Sequence, residues 1–204
     1  DLKPERGLHH NLMIERRLGS GYVRVNLFKE TVRDVIESQT TMLAGGTSLR
    51  TFVPVDQVET EGVELIFNAY DVFTPGLNLR ANLAWTDAEI TQNRVDPSIV
   101  GNQFTRMPKW RGNLLANYHV NARWDVGANL QYASDSYGRL DNRDREDNVY
   151  GAQDGYLRLG VKTRYQFTPQ LSGSIGIDNL RNDIDYVAHP WPGRTGYVSL
   201  SYDL

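Results

Sequence analysis

The residues best suited to chemistry in this sequence are a run of carboxylates, a few scattered histidines and one arginine-rich stretch. Asp56, Glu59, Glu61 and Glu64 are close in sequence. Paired carboxylates can serve acid–base catalysis, but only beside a nucleophile or base placed to use them. No such arrangement accompanies them, so the chain does not read as an enzyme. His9, His10, His119 and His189 show no convergent spacing, and a metal site needs several convergent ligands. The chain has no cysteine, which removes disulfides and thiolate zinc sites. Neither a metal centre nor a cofactor is expected. The stretch 134–153 holds Arg139, Asp141, Asn142, Arg143, Asp144, Arg145, Glu146 and Asp147. Arg139, Arg143 and Arg145 suit a grip on an anionic chelate through charge-assisted hydrogen bonds. A solvated charged loop is the plain alternative.

The elements that carry these residues announce themselves by period. Leu77, Leu79, Ala81, Leu83 and Trp85 alternate with Asn78, Arg80, Asn82, Ala84 and Thr86. That is the two-residue period of a strand, and a helix would scatter the same groups around its circumference. The pattern recurs in Trp110–Val120, Trp124–Tyr132, Leu157–Phe167 and Val198–Leu204. It is less clean in Leu8–Leu18, where His10 and Arg16 interrupt, in Val23–Leu27 and in Val63–Ala69. About nine strands are predicted, over 7–18, 20–30, 50–73, 76–87, 105–120, 123–134, 154–167, 170–180 and 194–204. The third is expected to bend at Gly62, and Gly173 and Gly176 read as points of curvature in the eighth.

The connections alternate. Short turns fall at Leu18–Gly21, Thr74–Gly76, Val120–Arg123 and Thr168–Gln170, with long polar connections at 30–50, 87–105, 134–153 and 180–194. Outer-membrane barrels have short periplasmic turns and long extracellular loops. One face of each strand is apolar, with Trp85, Trp110, Trp124, Tyr132, Tyr165 and Phe167 near strand ends, as aromatic girdles require. The other face carries Arg80, Arg111, Asp125, Arg158, Lys162 and Arg164. An apolar outside and a polar bore are rewarded only by lipid. The expected fold class is therefore all-β: an antiparallel transmembrane β-barrel wall, open or incomplete in this chain.

Bulk properties agree. The chain has 204 residues and a net charge of -3, which argues against nucleic acid as a partner. The mean hydropathy of -0.50 looks soluble, yet alternating strands average to a polar value. No apolar run is long enough for a spanning helix, and Asp1–Glu5 is not a signal peptide.

Five segments carry a resemblance. Asp1-Leu2-Lys3-Pro4-Glu5 resembles the L-K-P-E segment that opens a mid-barrel strand in TonB-dependent outer-membrane receptors. Val58–Leu65, with Gly62-Val63-Glu64-Leu65, is similar to that family's G-x-E-L segment. Trp85-Thr86-Asp87-Ala88-Glu89-Ile90 followed by Arg106-Met107-Pro108 looks like its T-D-A-x-I and R-x-P pair. Asp178-Asn179-Leu180, Tyr186 and Pro192-Gly193-Arg194-Thr195 resemble its close. The segments are in the family's order and cover the whole chain. The family usually ends in an aromatic residue, whereas this chain ends in Leu204, which bears on assembly efficiency.

The resemblance implies a barrel of about 22 strands with a plugged lumen, of which 1–204 would be the carboxy-terminal part. It implies uptake of a scarce ligand such as a ferric siderophore or other metal chelate, driven through TonB. Plug and TonB-contacting box would lie upstream, so the chain reads as a fragment that does not transport alone. Expected partners are outer-membrane lipid, the plug of the same polypeptide, TonB and the chelate. The carboxy terminus is expected on the periplasmic side. Arg80, Arg111, Arg158 and Arg164 are expected to face the plug or lumen. The alternatives are another outer-membrane barrel, such as a porin or adhesin, and a soluble antiparallel β-protein with Leu79, Leu114, Leu130 and Val161 in a dry interior.

Overall fold

The computed structural model describes residues 3–42, 46 and 48–203. Asp1, Leu2 and Leu204, which carry part of the motifs above, lie outside the described residues. Strands β1 (Arg6–Leu18), β2 (Gly21–Met42), β3 (Ser48–Ala69), β4 (Leu77–Gln92), β5 (Trp110–Asn121), β6 (Trp124–Ala133), β7 (Tyr156–Gln166), β8 (Leu171–Asp178) and β11 (Thr195–Tyr202) form one nine-stranded sheet. Every pairing in it is antiparallel. A two-stranded ribbon, β9 (Tyr186–Val187) and β10 (His189–Pro190), sits in the last long connection. The sheet is an unclosed meander with β1 and β11 at its edges.

Cross-strand register turns the sequence alternation into faces. Leu12 pairs with Leu27, Leu27 with Val63, and Val63 with Trp85. Leu65 pairs with Leu83, Leu114 with Leu130, Leu130 with Leu159 and Ala128 with Val161. Ile175 pairs with both Thr163 and Val198. Side chains directly opposite on an antiparallel pair share a face, so the apolar rows merge into one continuous surface. That surface is open: Leu12 is 58% exposed, Leu114 39%, Val161 36% and Leu200 72%. Leu79 and Leu130 are only half-buried, so no dry interior gathers these residues. From Trp110 to Val120 the apolar face runs roughly 34 Å at about 3.4 Å per residue. A tilt of about 40° projects this to about 26 Å, close to the apolar height of an outer-membrane barrel.

Three boundaries differ from the sequence reading. The connection at 30–50 is mostly strand, because β2 runs to Met42 and β3 starts at Ser48. Val32, Val35, Ile36, Val53 and Val55 favour a pleated backbone, but Asp34 has φ +58° and is omitted from the ladder between Arg33 and Val35. That break ends the visible alternation. β4 extends to Gln92, with a register shift opposite Gln57 and Val58. β5 begins at Trp110 rather than 105, since Pro108 cannot donate to a ladder.

The main dry cluster among the described residues lies beyond the wall, at the long-loop end. Val55, Val58, Ile90 and Ile99 are buried there, with Val35, Phe104 and Leu140 packed against them. Strand extensions and two long connections thus meet over one apolar nucleus, which holds the loops in place. Neither Gly173 nor Gly176 has a positive φ. Instead, a Cβ on Gly176 would fall 2.3 Å from the Tyr197 ring and one on Gly173 3.0 Å from Phe167. These glycines make room for neighbouring aromatics.

Candidate functional site

The connection 93–109 is pinned to β4 by hydrogen bonds from the Ile90 N–H to the Asn102 carbonyl (3.0 Å) and from the Phe104 N–H to the Ala88 carbonyl (2.7 Å). A short 3-10 turn, Pro97–Ile99, is capped by Asp96, whose carboxylate accepts from the Ser98 N–H at 3.1 Å. Asn142 joins this connection to the next one: its amide donates to the Gln103 carbonyl at 3.0 Å and its Oδ1 accepts from the Gln103 N–H at 2.9 Å. Behind them, Asn93 donates to Gln39 at 2.9 Å, and Gln39 donates to the Pro54 carbonyl at 3.1 Å. Both amides are buried, so the loops are joined to the β2–β3 extension through buried polar contacts, although Asn93 Oδ1 has no hydrogen-bond partner among the described residues.

These elements enclose a cavity of about 380 Å³. Its charged lining is Glu37, Arg50, Asp96, Arg106, Arg139 and Asp141. Arg139 is neutralised by Asp141 at 2.6 Å. Arg50 donates only to the Ser38 hydroxyl, at 2.8 and 3.2 Å. Among the described residues neither Arg50 nor Arg106 has a carboxylate within ion-pair distance. Arg106 is exposed and has φ +58°, a conformation uncommon for a long side chain. Two guanidiniums therefore keep their bidentate donor capacity for an anionic guest.

Of the arginines singled out from sequence, Arg139 lines the cavity, while Arg143 and Arg145 are exposed and do not. Arg50 and Arg106, which also line it, were not singled out from sequence. They are far apart in sequence, and only the folding of a loop over a hairpin extension brings them together.

The polar face of the wall divides the four other arginines. Arg80, Arg111 and Arg164 are exposed. Arg164 donates to Gln166 at 3.1 Å and Ser172 at 3.2 Å, and none of the three has an ion-pair partner among the described residues. Arg80 lines a trough of about 410 Å³ with Tyr22, Asn82, Asn113, Asn129 and Gln131. Arg158 differs. Its Nε donates to Asp185 at 2.9 Å, and its guanidinium lies 4.1 Å from the Trp191 ring centre and 5.5 Å from that of Tyr156. It clamps the last long connection onto the wall, with cation–π contact added to a charge pair.

The carboxylates Asp56, Glu59, Glu61 and Glu64 do not converge. Asp56 binds Arg94, while Glu59 and Glu61 flank Lys29. His119 contacts Asp125, and His9 lies 3.4 Å from Glu30. Among the described residues, no three His, Cys, Asp or Glu side chains gather in a way that could hold a metal.

Comparison with protein families matches residues 1–180 to the family described as TonB dependent receptor-like, beta-barrel. Comparison with curated proteins found no match. Among solved structures, the ferric citrate transporter FecA superposes with a TM-score of 0.77 at 19% identity, covering 98% of this chain and 31% of that one. The copper transporter OprC gives 0.74 at 16% identity, covering 99% and 32%. The siderophore receptor PiuA from Acinetobacter baumannii gives 0.72 at 18% identity, covering 97% and 28%. At these identities the likeness is one of fold. The chain spans less than a third of the length of each.

Proposed function

This chain belongs to the TonB dependent receptor-like β-barrel family, a family of outer-membrane transport receptors, and from that premise we propose that it forms part of the wall and outer vestibule of an importer for an anionic metal chelate. The cargo class is a ferric siderophore or a similar oxygen-rich chelate. Uptake is coupled to TonB through parts of the receptor other than this wall, and the carboxy terminus faces the periplasm. The family assignment sets aside the porin, adhesin and soluble readings.

The observation that carries the proposal is the cavity containing Arg50 and Arg106. Two cations that, among the described residues, have no carboxylate at ion-pair distance, on a scaffold of docked loops that also presents Glu37 and Asp96, suit a carboxylate- or catecholate-bearing chelate. Arg139 lines the cavity as an ion pair with Asp141, and Arg143 and Arg145, exposed on the same connection, are read as further contacts at the rim. Arg80, Arg111 and Arg164 await acidic partners from a plug, which would place that domain against the trough on the polar face. The names of the solved neighbours support the cargo class, since they include a siderophore receptor, a ferric citrate transporter and a copper transporter.

The test is binding and uptake of radiolabelled ferric citrate, a ferric catecholate and a ferric hydroxamate by cells bearing the receptor. For the cargo that is taken up, the double variant Arg50→Gln, Arg106→Gln should weaken binding by about 10-fold or more, as loss of two charge-assisted contacts implies. Surface abundance should not change. Unchanged binding would overturn the assignment of the cavity.

A further inference from the structure

The charge in the cavity is of both signs, and the two signs are kept apart. Arg139 and Asp141 satisfy one another at 2.6 Å. The charged lining that remains is Arg50 and Arg106 with Glu37 and Asp96. Among the described residues none of these four makes an ion pair. Opposite charges around one cavity of about 380 Å³ attract each other and would pair unless other contacts held them. Two serines supply those contacts. The Ser38 N–H donates to the Glu37 carboxylate at 2.8 Å, and the Ser38 hydroxyl accepts from the Arg50 guanidinium at 2.8 and 3.2 Å. One serine thus holds a charge of each sign. Ser98 does the same for Asp96, donating to Oδ1 from its N–H at 3.1 Å and from its hydroxyl at 2.6 Å.

Each carboxylate is therefore held by one oxygen through neutral donors. Glu37 Oε2 and Asp96 Oδ2 have no hydrogen-bond partner among the described residues. Both side chains are half-buried, and an ionised carboxylate has about four acceptor sites. The sheet supplies no counter-charge either: Glu37 is opposite Val53 and Arg50 is opposite Thr40. A guest with negative groups alone would bring like charge against Glu37 and Asp96, a juxtaposition that is strongly unfavourable once water is excluded. A guest with an ammonium beside its anionic groups meets both signs.

We propose that the cavity selects a metal chelate bearing a free ammonium next to its carboxylate or catecholate groups, as a chelate built on a diamino acid would. Glu37 and Asp96 are the residues that determine this specificity. Their free oxygens receive the ammonium, while Arg50 and Arg106 receive the anionic group. The inference rests on the reading of the cavity as the chelate site and narrows the cargo within it.

The experiment uses the full receptor in outer-membrane vesicles and two radioiron-labelled probes that differ only at the side-chain nitrogen. One is the ferric complex of 2,3-dihydroxybenzoyl-lysine, with its ammonium free, and the other is the same complex acetylated there. The unaltered receptor should bind the first at least about 10-fold more tightly, as a charge-assisted contact implies. Glu37→Gln with Asp96→Asn retains the oxygens that accept from Ser38 and Ser98 and removes only the charge. This variant should bind the two probes equally. Glu37→Gln alone, which leaves the Asp96 cap untouched, should lose part of the preference. Arg50→Gln with Arg106→Gln should weaken both probes and keep the ratio between them. Equal binding of the probes by the unaltered receptor, or a preference that survives in the Glu37, Asp96 variant, would overturn this inference alone. Failure of both probes to bind, or binding indifferent to the two arginines, would overturn the reading of the cavity and this inference with it.

Discussion

Asp56 on β3 and Arg94 in the connection 93–109 are joined by three hydrogen bonds. Arg94 donates to the Asp56 carboxylate from Nε at 2.9 Å, from Nη2 at 2.7 Å and from its backbone N–H at 2.5 Å. These bonds hold the Asp56 carboxyl below its ordinary range, with the guanidinium hydrogen bonds as the largest cause. The pair fastens the loop that roofs the cavity to the strand that floors it.

Because the folded-state pKa is depressed, the contribution of this pair is fully present above the ordinary carboxylate value of about 4. It is lost as pH falls through the lowered value. Amide hydrogen exchange in 93–105 should therefore be pH-independent in its protection from neutrality down to about pH 5 and should weaken only below about 4. Asp56→Asn should show the weakened protection at neutral pH. Equal protection in the variant would show that the buried contacts of Ile99 and Phe104 hold the loop without the pair.

Arg158→Ala should release the last long connection. The partner side chain Asp185 is only 12% exposed, and removing one member of a largely buried ion pair costs about 3–5 kcal/mol. The expected readout is faster protease cleavage within 181–190, with the wall still folded. Arg158→Lys should restore part of the protection, because the charge remains while the stacking on Trp191 weakens.

Leu114 and Leu115 are chemical twins, 39% and 38% exposed, on opposite faces of β5. Leu114→Arg should destabilise the barrel in a bilayer by about 2–4 kcal/mol, whereas Leu115→Arg faces the bore and should change little. Urea titration of barrels folded into lipid vesicles distinguishes the two. Equal costs would contradict the orientation of the sheet.

Gly62 is opposite Phe28 across β2 and β3. A Cβ at 62 would come within 2.3 Å of the Phe28 ring and 2.4 Å of the Trp85 carbonyl oxygen. Gly62→Ala should therefore cost about 1–3 kcal/mol as an overpacking change. Adding Phe28→Ala should recover only part of that loss, since the backbone clash stays. A double-mutant cycle in the same urea titration measures the share due to the ring. The ladder runs through Gly62 in regular register, and its glycine has a packing reason: a phenyl ring covers the backbone where a side chain is missing.

The sequence determined the faces. Strand side chains alternate with a period of two, so Leu77–Trp85 or Trp124–Tyr132 assigns every residue to one side before any partner strand is known. Antiparallel register then requires the apolar sides of nine strands to coincide. The family segments, spread from Asp1 to Thr195, were legible for the same reason: they are local. Only tertiary structure decided which charged groups remain available. Arg139, a plausible grip in sequence, and Arg158, expected to face the plug or lumen, are occupied by Asp141 and by Asp185 with Trp191, while among the described residues Arg50 and Arg106 have no carboxylate at ion-pair distance. The mixed charge of the cavity, with Glu37 and Asp96 beside Arg50 and Arg106, was equally invisible, because it joins residues from three different segments. An ion pair or a cavity depends on distances between chain segments that no local period encodes, and those distances are set by register and by loops closing over Val55, Ile90 and Ile99.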